Sequence, residues 1–162
     1  MAQTTTRLNI LDDALMDQVR DAARQSGRKR AVHRFHELAE PVQRMLNAIE
    51  PDSYVRPHKH ENPDKVEMFL ALRGRAAVVS FDEGGAILGA VVIAARGGPR
   101  GVEIPPRTYH MVMSLEAGTV LFEVGLGPYD AASHKKWAAW APEEGSPDGA
   151  AYMAKVRQSA GL

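Results

Sequence analysis

Cysteine is absent from this chain of 162 residues. Its absence excludes disulfide bonds, thiolate zinc sites, iron–sulfur clusters and cysteine nucleophiles. Any metal site must therefore be built from nitrogen and oxygen ligands, and six histidines are present to supply imidazoles.

Long apolar runs are missing as well. The longest uncharged and mostly apolar run, Gly84–Ala95, is far shorter than the ~20 residues that a membrane helix needs. Residues 1–9 lack the apolar stretch of a signal peptide. We therefore expect a cytoplasmic protein that does not act at a membrane.

Neither sign of charge is in excess, because 20 Lys and Arg residues balance 20 Asp and Glu residues. This balance disfavours nucleic-acid binding through bulk positive charge. It does not exclude a small polar or anionic substrate, which a single inward-facing basic residue can bind. No glycine-rich phosphate loop opens onto a helix, which disfavours a nucleotide-binding α/β fold.

The hydrophobic pattern changes along the chain. Leu11, Leu15 and Val19 have helical spacing, and a second short helix is predicted over Pro41–Ile49. From residue 54 to about 129 the pattern is that of short strands separated by Gly and Pro turns, typical of an antiparallel sandwich or barrel. We predict strands at Tyr54–His60, Val66–Leu72, Arg75–Phe81, Ala86–Ala94, Val102–Ile104, His110–Ser114 and Thr119–Val124.

The chain is expected to form one structural domain in three parts. Residues 1–50 are predicted to be a helical extension packed on a barrel formed by residues 51–130. Residues 131–162 are predicted to be an irregular segment followed by a short helix that starts at Ser146-Pro147-Asp148 and ends near Gln158.

Three histidines predict a metal site. His58 and His60 are two residues apart in a predicted strand, so their imidazoles share one face. His110 begins a later strand and can add a third imidazole. Such a His-x-His pair is common without a metal, but a nearby carboxylate strengthens the interpretation.

The carboxylate that best completes this site is Glu67, which follows a turn at Asn62-Pro63, although Glu61 and Asp64 are alternatives. Three imidazoles and one carboxylate suit one divalent transition metal, Fe, Mn, Ni, Co or Zn. In an octahedral site these ligands leave two positions open for substrate, water or O2.

These residues resemble the two sequence motifs of the cupin superfamily. Six positions match the motifs: His58, His60, Glu67, Gly74, Pro105 and His110. Four features depart from them: Asp52 and Arg107 replace glycines, Ser114 replaces an asparagine, and the interval from His60 to Glu67 is longer. The resemblance implies a mainly β protein with a single cupin (double-stranded β-helix or jelly-roll) barrel.

Further segments resemble the WbuC family of cupin-fold metalloproteins. They extend from the predicted second helix to the Trp-rich section: His36-Glu37-Leu38, Gln43-Arg44, Leu46-Asn47-Ala48, Arg56-Pro57-His58-Lys59-His60, 101–106, Phe122-Glu123-Val124, Gly127-Pro128-Tyr129-Asp130 and Trp140-Ala141-Pro142-Glu143. The resemblance implies a role near surface polysaccharide (O-antigen) synthesis, and cupins commonly form homodimers. The family resemblance implies no particular reaction.

Three other residues are candidates for binding or catalysis. Arg56 shares strand parity with His58, so we predict that it faces inward and binds an anionic substrate, with an internal ion pair as the alternative. Glu123, in an apolar strand, and Lys65, at the predicted pocket mouth, are candidate proton-transfer groups. Solvent-facing positions are the alternative for both.

The remaining histidines and the tryptophans are expected to have other roles. We place His134 on the surface, and His33 and His36 in core or hydrogen-bonding positions. Trp137 and Trp140 are expected to pack the C-terminal section onto the barrel, with stacking on a sugar ring as the alternative.

Three functions agree with these residues. The first, which follows from the resemblance, is a metal-dependent enzyme acting on a sugar or sugar nucleotide, by isomerisation or epimerisation. The second is an Fe(II)-dependent oxygenase that binds O2 and substrate at the same metal. The third is a non-catalytic binding or regulatory module in which the metal clamps a ligand or stabilises the protein.

Overall fold

The computed structural model describes residues 8–162. Residues 1–7 lie outside the described residues. They include the start of the predicted helical extension and most of residues 1–9, which lack the apolar stretch of a signal peptide. Across the described part the secondary structure is α1 (Asp13–Gln25), β1 (Arg30–Arg34), β2 (Val42–Ile49), β3 (His58–Lys59), β4 (Glu67–Arg73), β5 (Arg75–Phe81), β6 (Ile87–Ala94), β7 (Gly101–Ile104), β8 (Tyr109–Ser114), β9 (Thr119–Leu126), β10 (Lys136–Trp137) and α2 (Asp148–Ser159).

Two antiparallel sheets of five strands form the body of the molecule. Sheet A has the order β1-β2-β9-β4-β7, and sheet B has the order β10-β3-β8-β5-β6. The chain passes between the sheets at successive strands from β6 to β9, which is the connectivity of a jelly roll. The predicted mainly β fold with a helix near each end is therefore confirmed.

The space between the sheets is filled by apolar side chains. Phe69 and Leu121 extend from sheet A, and Val78, Ile93 and Val112 extend from sheet B into the same cluster. Each large side chain removed from water here contributes roughly 1.5–3 kcal/mol. This core occupies part of the barrel and leaves the rest of its interior to polar groups.

The outer face of each sheet is covered by a helix. On sheet A, Val19 of α1 belongs to one buried cluster with Leu46 and Val120. On sheet B, Met153 of α2 belongs to a buried cluster with Met111. Because both faces of the central strands are buried, their apolar residues do not alternate simply with polar ones.

The predicted helix over Pro41–Ile49 is wrong, because Val42–Ile49 forms β2 and pairs with β9 along its whole length. Leu46 faces α1, whereas Met45 and Asn47 face the barrel interior. Because β2 is buried on both faces, its apolar residues have the same spacing as those on one face of a helix. Residues 30–49 therefore belong to the sheet and not to a helical extension.

The other predicted elements agree more closely. Arg75–Phe81 is a strand with the predicted bounds, and the C-terminal helix extends over Asp148–Ser159. The predicted strand Tyr54–His60 shrinks to His58–Lys59, and β1 and β10 were not predicted. None of the described helices combines the length and the apolar character that crossing a membrane requires.

Gly74 makes the turn between β4 and β5. Its φ is +70°, in the left-handed region that glycine adopts without a steric cost. A Cβ atom here would lie 2.5 Å from Oγ1 of Thr119. The turn sends the chain from sheet A to sheet B immediately after the strand that carries Glu67.

Candidate metal centre

The fold brings together residues from both sheets at one end of the barrel. His58 on β3 lies directly opposite His110 on the neighbouring strand β8. His60 follows β3, and Glu67 is the first residue of β4 in the facing sheet. One donor atom from each of these four residues lies within 4.8 Å of the other three donor atoms.

The four side chains are almost fully buried, since each residue is at most 5% exposed. Oε2 of Glu67 lies 2.9 Å from Nε2 of His110 and 3.5 Å from Nε2 of His60. The ring centroids of His58 and His110 are 4.5 Å apart. The structure thus brings together all four residues that the sequence proposed as metal ligands.

Backbone carbonyls fix the orientation of the three imidazoles. Each ring donates Nδ1–H to a carbonyl oxygen: His58 to that of Arg56 (3.0 Å), His60 to that of His134 (2.6 Å) and His110 to that of Thr108 (2.9 Å). A neutral imidazole has one N–H, so each Nε2 presents a lone pair to the cluster. A hydrogen bond from the other ring nitrogen to a backbone carbonyl is typical of histidines that bind a metal.

The resulting donor set fits a divalent transition metal. Nε2 of His58 and Nε2 of His60 are buried and have no hydrogen-bond partner among the described residues. The lone pair of His110 Nε2 faces a carboxylate oxygen of Glu67, an arrangement that repels unless a proton or a cation lies between the two atoms. Three imidazole nitrogens and one carboxylate oxygen are ligands that Fe, Mn, Co, Ni and Zn accept.

The electrostatics favour the protonation states that bind a metal. Burial lowers the pKa of His58 well below its usual value, and the charges of Lys135 and His110 lower it further. Burial by itself would raise the pKa of Glu67, but the nearby Nε2 atoms of His110 and His60, when they carry a proton, donate to its carboxylate and hold that pKa well below its usual value. A neutral imidazole and an ionised carboxylate are the forms that ligate.

Glu61 and Asp64, the alternative carboxylates, lie outside the cluster. Glu61 pairs with Lys136 at 2.5 Å and with Lys59 at 3.2 Å. Asp64 pairs with Arg107 at 2.8 Å. Among the three carboxylates that the sequence left open, the structure places only Glu67 beside the histidines.

A cavity of about 390 Å³ opens beside the cluster, and both His58 and Glu67 line it. Its volume is at the lower end of the range for pockets that hold small molecules. Alternate residues of β2, β9 and β4 form its inner wall, because their side chains share the interior face of sheet A. Gln43, Met45, Asn47, Glu67, Phe69 and Glu123 are the residues of this wall.

Glu123, a candidate proton-transfer group, is in this wall. Its Oε2 accepts a hydrogen bond from Nδ2 of Asn47 at 2.9 Å. Burial, followed by the negative charge of Glu67, raises the pKa of Glu123 to about 8. The structure therefore places this carboxyl group inside the pocket, near Glu67, and not in solvent.

Lys65 is buried rather than at the pocket mouth where we expected it. Its Nζ donates to the carbonyl oxygen of Pro128 at 2.8 Å. It lines a small recess together with His60 and Glu123. The ammonium group thus ties the connection between β9 and β10 to the edge of the site.

Arg56 does not line the pocket, so the expected inward orientation is wrong. Its guanidinium donates to the carbonyl oxygen of Ala138 from Nη2 at 2.8 Å and from Nε at 3.2 Å, and lies 3.7 Å from Glu143. Residues 54–57 are not in a strand, so the alternation assumed for Arg56 and His58 does not apply.

Sequence reasoning missed two residues of the site. His134 was expected on the surface, but its ring centroid lies 5.1 Å from that of His60, and its carbonyl oxygen orients that ligand. Trp137 was expected to pack, but it lines the pocket with its ring 5.4 Å from His58. Trp140 does pack, against Phe81. Lys136–Trp137 pairs with β3, and this pairing brings the segment that carries His134 and Trp137 beside the metal ligands. No local sequence motif indicates that pairing.

The sequence matches one known family. The profile described as "Domain of unknown function (DUF6016)" matches residues 11–93, just over half of the chain. The chain belongs to this family. No curated protein matches the sequence.

Solved structures with the same fold include CapF, the capsular polysaccharide assembling protein of Staphylococcus aureus. Its TM-score is 0.57 at 15% identity, with 85% of this chain and 34% of CapF covered. TT1209 from Thermus thermophilus has a TM-score of 0.54 at 20% identity, with 74% of this chain and 97% of TT1209 covered. Oxalate decarboxylase of Lactobacillus farciminis has a TM-score of 0.50 at 16% identity, with 67% of this chain and 31% of that chain covered.

These likenesses show the fold, which is a jelly-roll barrel of two antiparallel sheets. The chain spans about a third of CapF and of oxalate decarboxylase, so it corresponds to one part of those longer chains. Fold likeness at this level of identity carries no substrate or reaction to this protein.

Proposed function

We propose that this protein binds one divalent transition metal and acts on a small polar molecule in the adjoining pocket. His58, His60, Glu67 and His110 would hold the metal. The observation that carries the proposal is the convergence of three buried, backbone-oriented imidazoles on one buried carboxylate. The substrate would be a sugar or a sugar nucleotide, and the reaction an isomerisation or epimerisation.

The pocket walls support a sugar. The rings of Trp137 and Tyr129 line the cavity near the metal ligands, and both side chains are partly exposed there. Aromatic faces next to polar groups suit a ring that is apolar on its faces and polar on its rim. A volume of about 390 Å³ accommodates one sugar unit, and the nucleotide of a sugar nucleotide would extend over the pocket rim.

Glu123 is the group best placed to move a proton. It lines the same cavity as His58 and Glu67, and Asn47 holds one of its oxygens at 2.9 Å. When bound, the metal would polarise a carbonyl or hydroxyl group of the substrate. Glu123 would then take a proton from the carbon next to the carbonyl and return it to the neighbouring carbon for isomerisation, whereas in an epimerisation water would supply the proton on the opposite face. We assign Lys65 to holding the β9–β10 connection, because its ammonium already donates to Pro128.

A setting in surface polysaccharide synthesis rests on the resemblance to the WbuC family. CapF, which has the same fold, is named as a capsular polysaccharide assembling protein. That name applies to CapF, and for this chain it only agrees with the proposed setting. An Fe(II)-dependent oxygenase is the second candidate, since four protein ligands leave two octahedral positions for O2 and substrate.

The metal content of the purified protein tests the first half of the proposal. We expect about one transition metal per chain by elemental analysis, and the double variant His58→Ala, His60→Ala should lose it. His33→Ala is the matched control, because His33 lies on β1 with its ring against Phe35. Full metal retention in the double variant would refute the assigned site.

The reaction is tested by hydrogen exchange. Mn- or Zn-loaded protein, held without oxygen in D2O, should introduce deuterium into a responsive member of a panel of sugars and sugar nucleotides. Glu123→Gln should abolish the exchange and keep the metal. Oxygen uptake by the Fe(II) form, with no anaerobic exchange, would favour the oxygenase. Metal binding without either reaction would favour a non-catalytic ligand-binding module.

A further inference from the structure

Basic side chains follow the rim of the pocket along β1. Arg30, Val32 and Arg34 occupy alternate positions of this strand and therefore share one face. All three line the cavity, and so does Arg28 just before the strand. The edge strand of sheet A thus presents a row of guanidinium groups to the pocket.

A further positive charge enters from the connection between β9 and β10. Lys135 lines the same cavity, with its ammonium 5.4 Å from the ring centroid of Trp137. The adjacent Lys136 points elsewhere, because its ammonium pairs with Glu61. Two consecutive lysines therefore have different surroundings, and only Lys135 faces the pocket.

The carboxylates that line the pocket already have partners. Glu144 forms an ion pair with Arg30. Glu67 belongs to the candidate metal centre, and Glu123 accepts a hydrogen bond from Asn47. None of the three carboxylates is therefore paired with the other basic residues of the rim.

Arg28, Arg34 and Lys135 form no ion pair with any residue in the range 8–162. Cations that line a concave site without counter-charges raise the local concentration of anions. Guanidinium groups match carboxylate and phosphate oxygens in pairs, and an ammonium adds a compact point charge. The rim therefore has the chemistry of an anion-binding site, in a chain whose net charge is zero.

We infer that Arg34 and Lys135 bind an anionic group, a carboxylate or a phosphate, on the same small molecule that the metal centre engages. This inference rests on the proposed function, since it concerns the ligand of that pocket. The substrate is then a sugar acid, a sugar phosphate or a sugar nucleotide rather than a neutral sugar. The basic residues select the charge, and the metal centre and Glu123 act on a neighbouring part of the same molecule.

Calorimetric titration of the metal-loaded protein with three probes tests this inference. The probes are glucose, glucuronate and glucose 6-phosphate, which differ in carrying no charge, a carboxylate or a phosphate. At least one anion should bind about tenfold more tightly than glucose, a typical effect of a charge-assisted hydrogen bond. Whichever anion gains the advantage identifies the charged group, and added salt should reduce that advantage.

Lys135→Gln and Arg34→Gln should each remove most of this advantage, lowering the affinity for the anion much more than the affinity for glucose and leaving about one metal per chain. Lys136→Gln is the matched control and should change none of these values. Equal affinity for all three probes, or no binding of either anion, would overturn the inference. An anion preference that persists in both variants would also overturn it, because the metal would then supply the preference. A wild-type protein that takes up no metal would instead refute the proposed function.

Discussion

Replacing Glu67 by glutamine distinguishes a metal centre from a structural ion pair. The Glu67 side chain is 6% exposed, and its Oε2 lies 2.9 Å from Nε2 of His110. When no metal is bound at pH 8 and the imidazoles are neutral, the folded protein must bury an unpaired charge here or take up a proton. Glutamine has nearly the same shape and no charge, and its amide can donate to the lone pair on His110.

The two interpretations predict opposite changes in stability. For a metal centre, we expect the metal-free Glu67→Gln variant to be as stable as the metal-free wild type, or more stable by about 1 kcal/mol, the net value of one hydrogen bond. For a structural ion pair, removal of one buried partner costs about 3–5 kcal/mol. Metal at a hundredfold excess over its Kd should stabilise the wild type by about 2.7 kcal/mol and the variant by much less.

Urea unfolding at pH 8, followed by circular dichroism with EDTA or with Zn²⁺, measures these differences. Glu61→Gln is the control, because the Glu61 carboxylate pairs with lysines outside the cluster. A loss of about 3 kcal/mol or more in the metal-free variant would show that Glu67 belongs to a structural ion pair. Equal stabilisation of Glu67→Gln and wild type by Zn²⁺ would show that Glu67 is not a metal ligand.

Three further predictions concern the scaffold. Gly74→Ala should lower the free energy of unfolding by about 1–3 kcal/mol because its φ is +70° and its Cβ would crowd Thr119; an unchanged urea midpoint would contradict this. Leu46→Ala should lower that free energy by about 2–5 kcal/mol, since Leu46 is fully buried on β2; a loss below about 1 kcal/mol would contradict its core position. A hydrogen bond from Arg73 lowers the pKa of Asp17 below 3.8, so the stability from this contact is complete above about pH 4 and is lost as the pH falls through the lowered pKa. Arg73→Gln should return the pKa of Asp17 toward 3.8 in an NMR titration, and an unmoved pKa would contradict the assigned contact.

The fold was largely predictable where strands are short and separated by Gly and Pro turns. The strand over Arg75–Phe81 and the C-terminal helix appear as expected. The segment Val42–Ile49 was not predictable, because a strand covered on both faces shows no alternation of apolar and polar residues. The expected homodimer and the expected lack of nucleic-acid binding stay predictions.

The chemical type of the site follows from residue composition and spacing alone. Without cysteine, a metal must use nitrogen and oxygen ligands, and the His-x-His spacing places two imidazoles near each other. The sequence favoured Glu67 as the carboxylate but left Glu61 and Asp64 open, because the interval from His60 to Glu67 is longer than in the cupin motif.

Which groups meet depends on the packing of the two sheets. This packing brings Glu67 beside the histidines and the carbonyl oxygen of His134 within hydrogen-bond distance of Nδ1 of His60. Lys135, and not Arg56, lines the pocket. These contacts join residues from opposite sheets and from a connection more than 70 positions along the chain. Local spacing determines only the face on which a side chain lies, whereas the packing of the two sheets determines what that face meets.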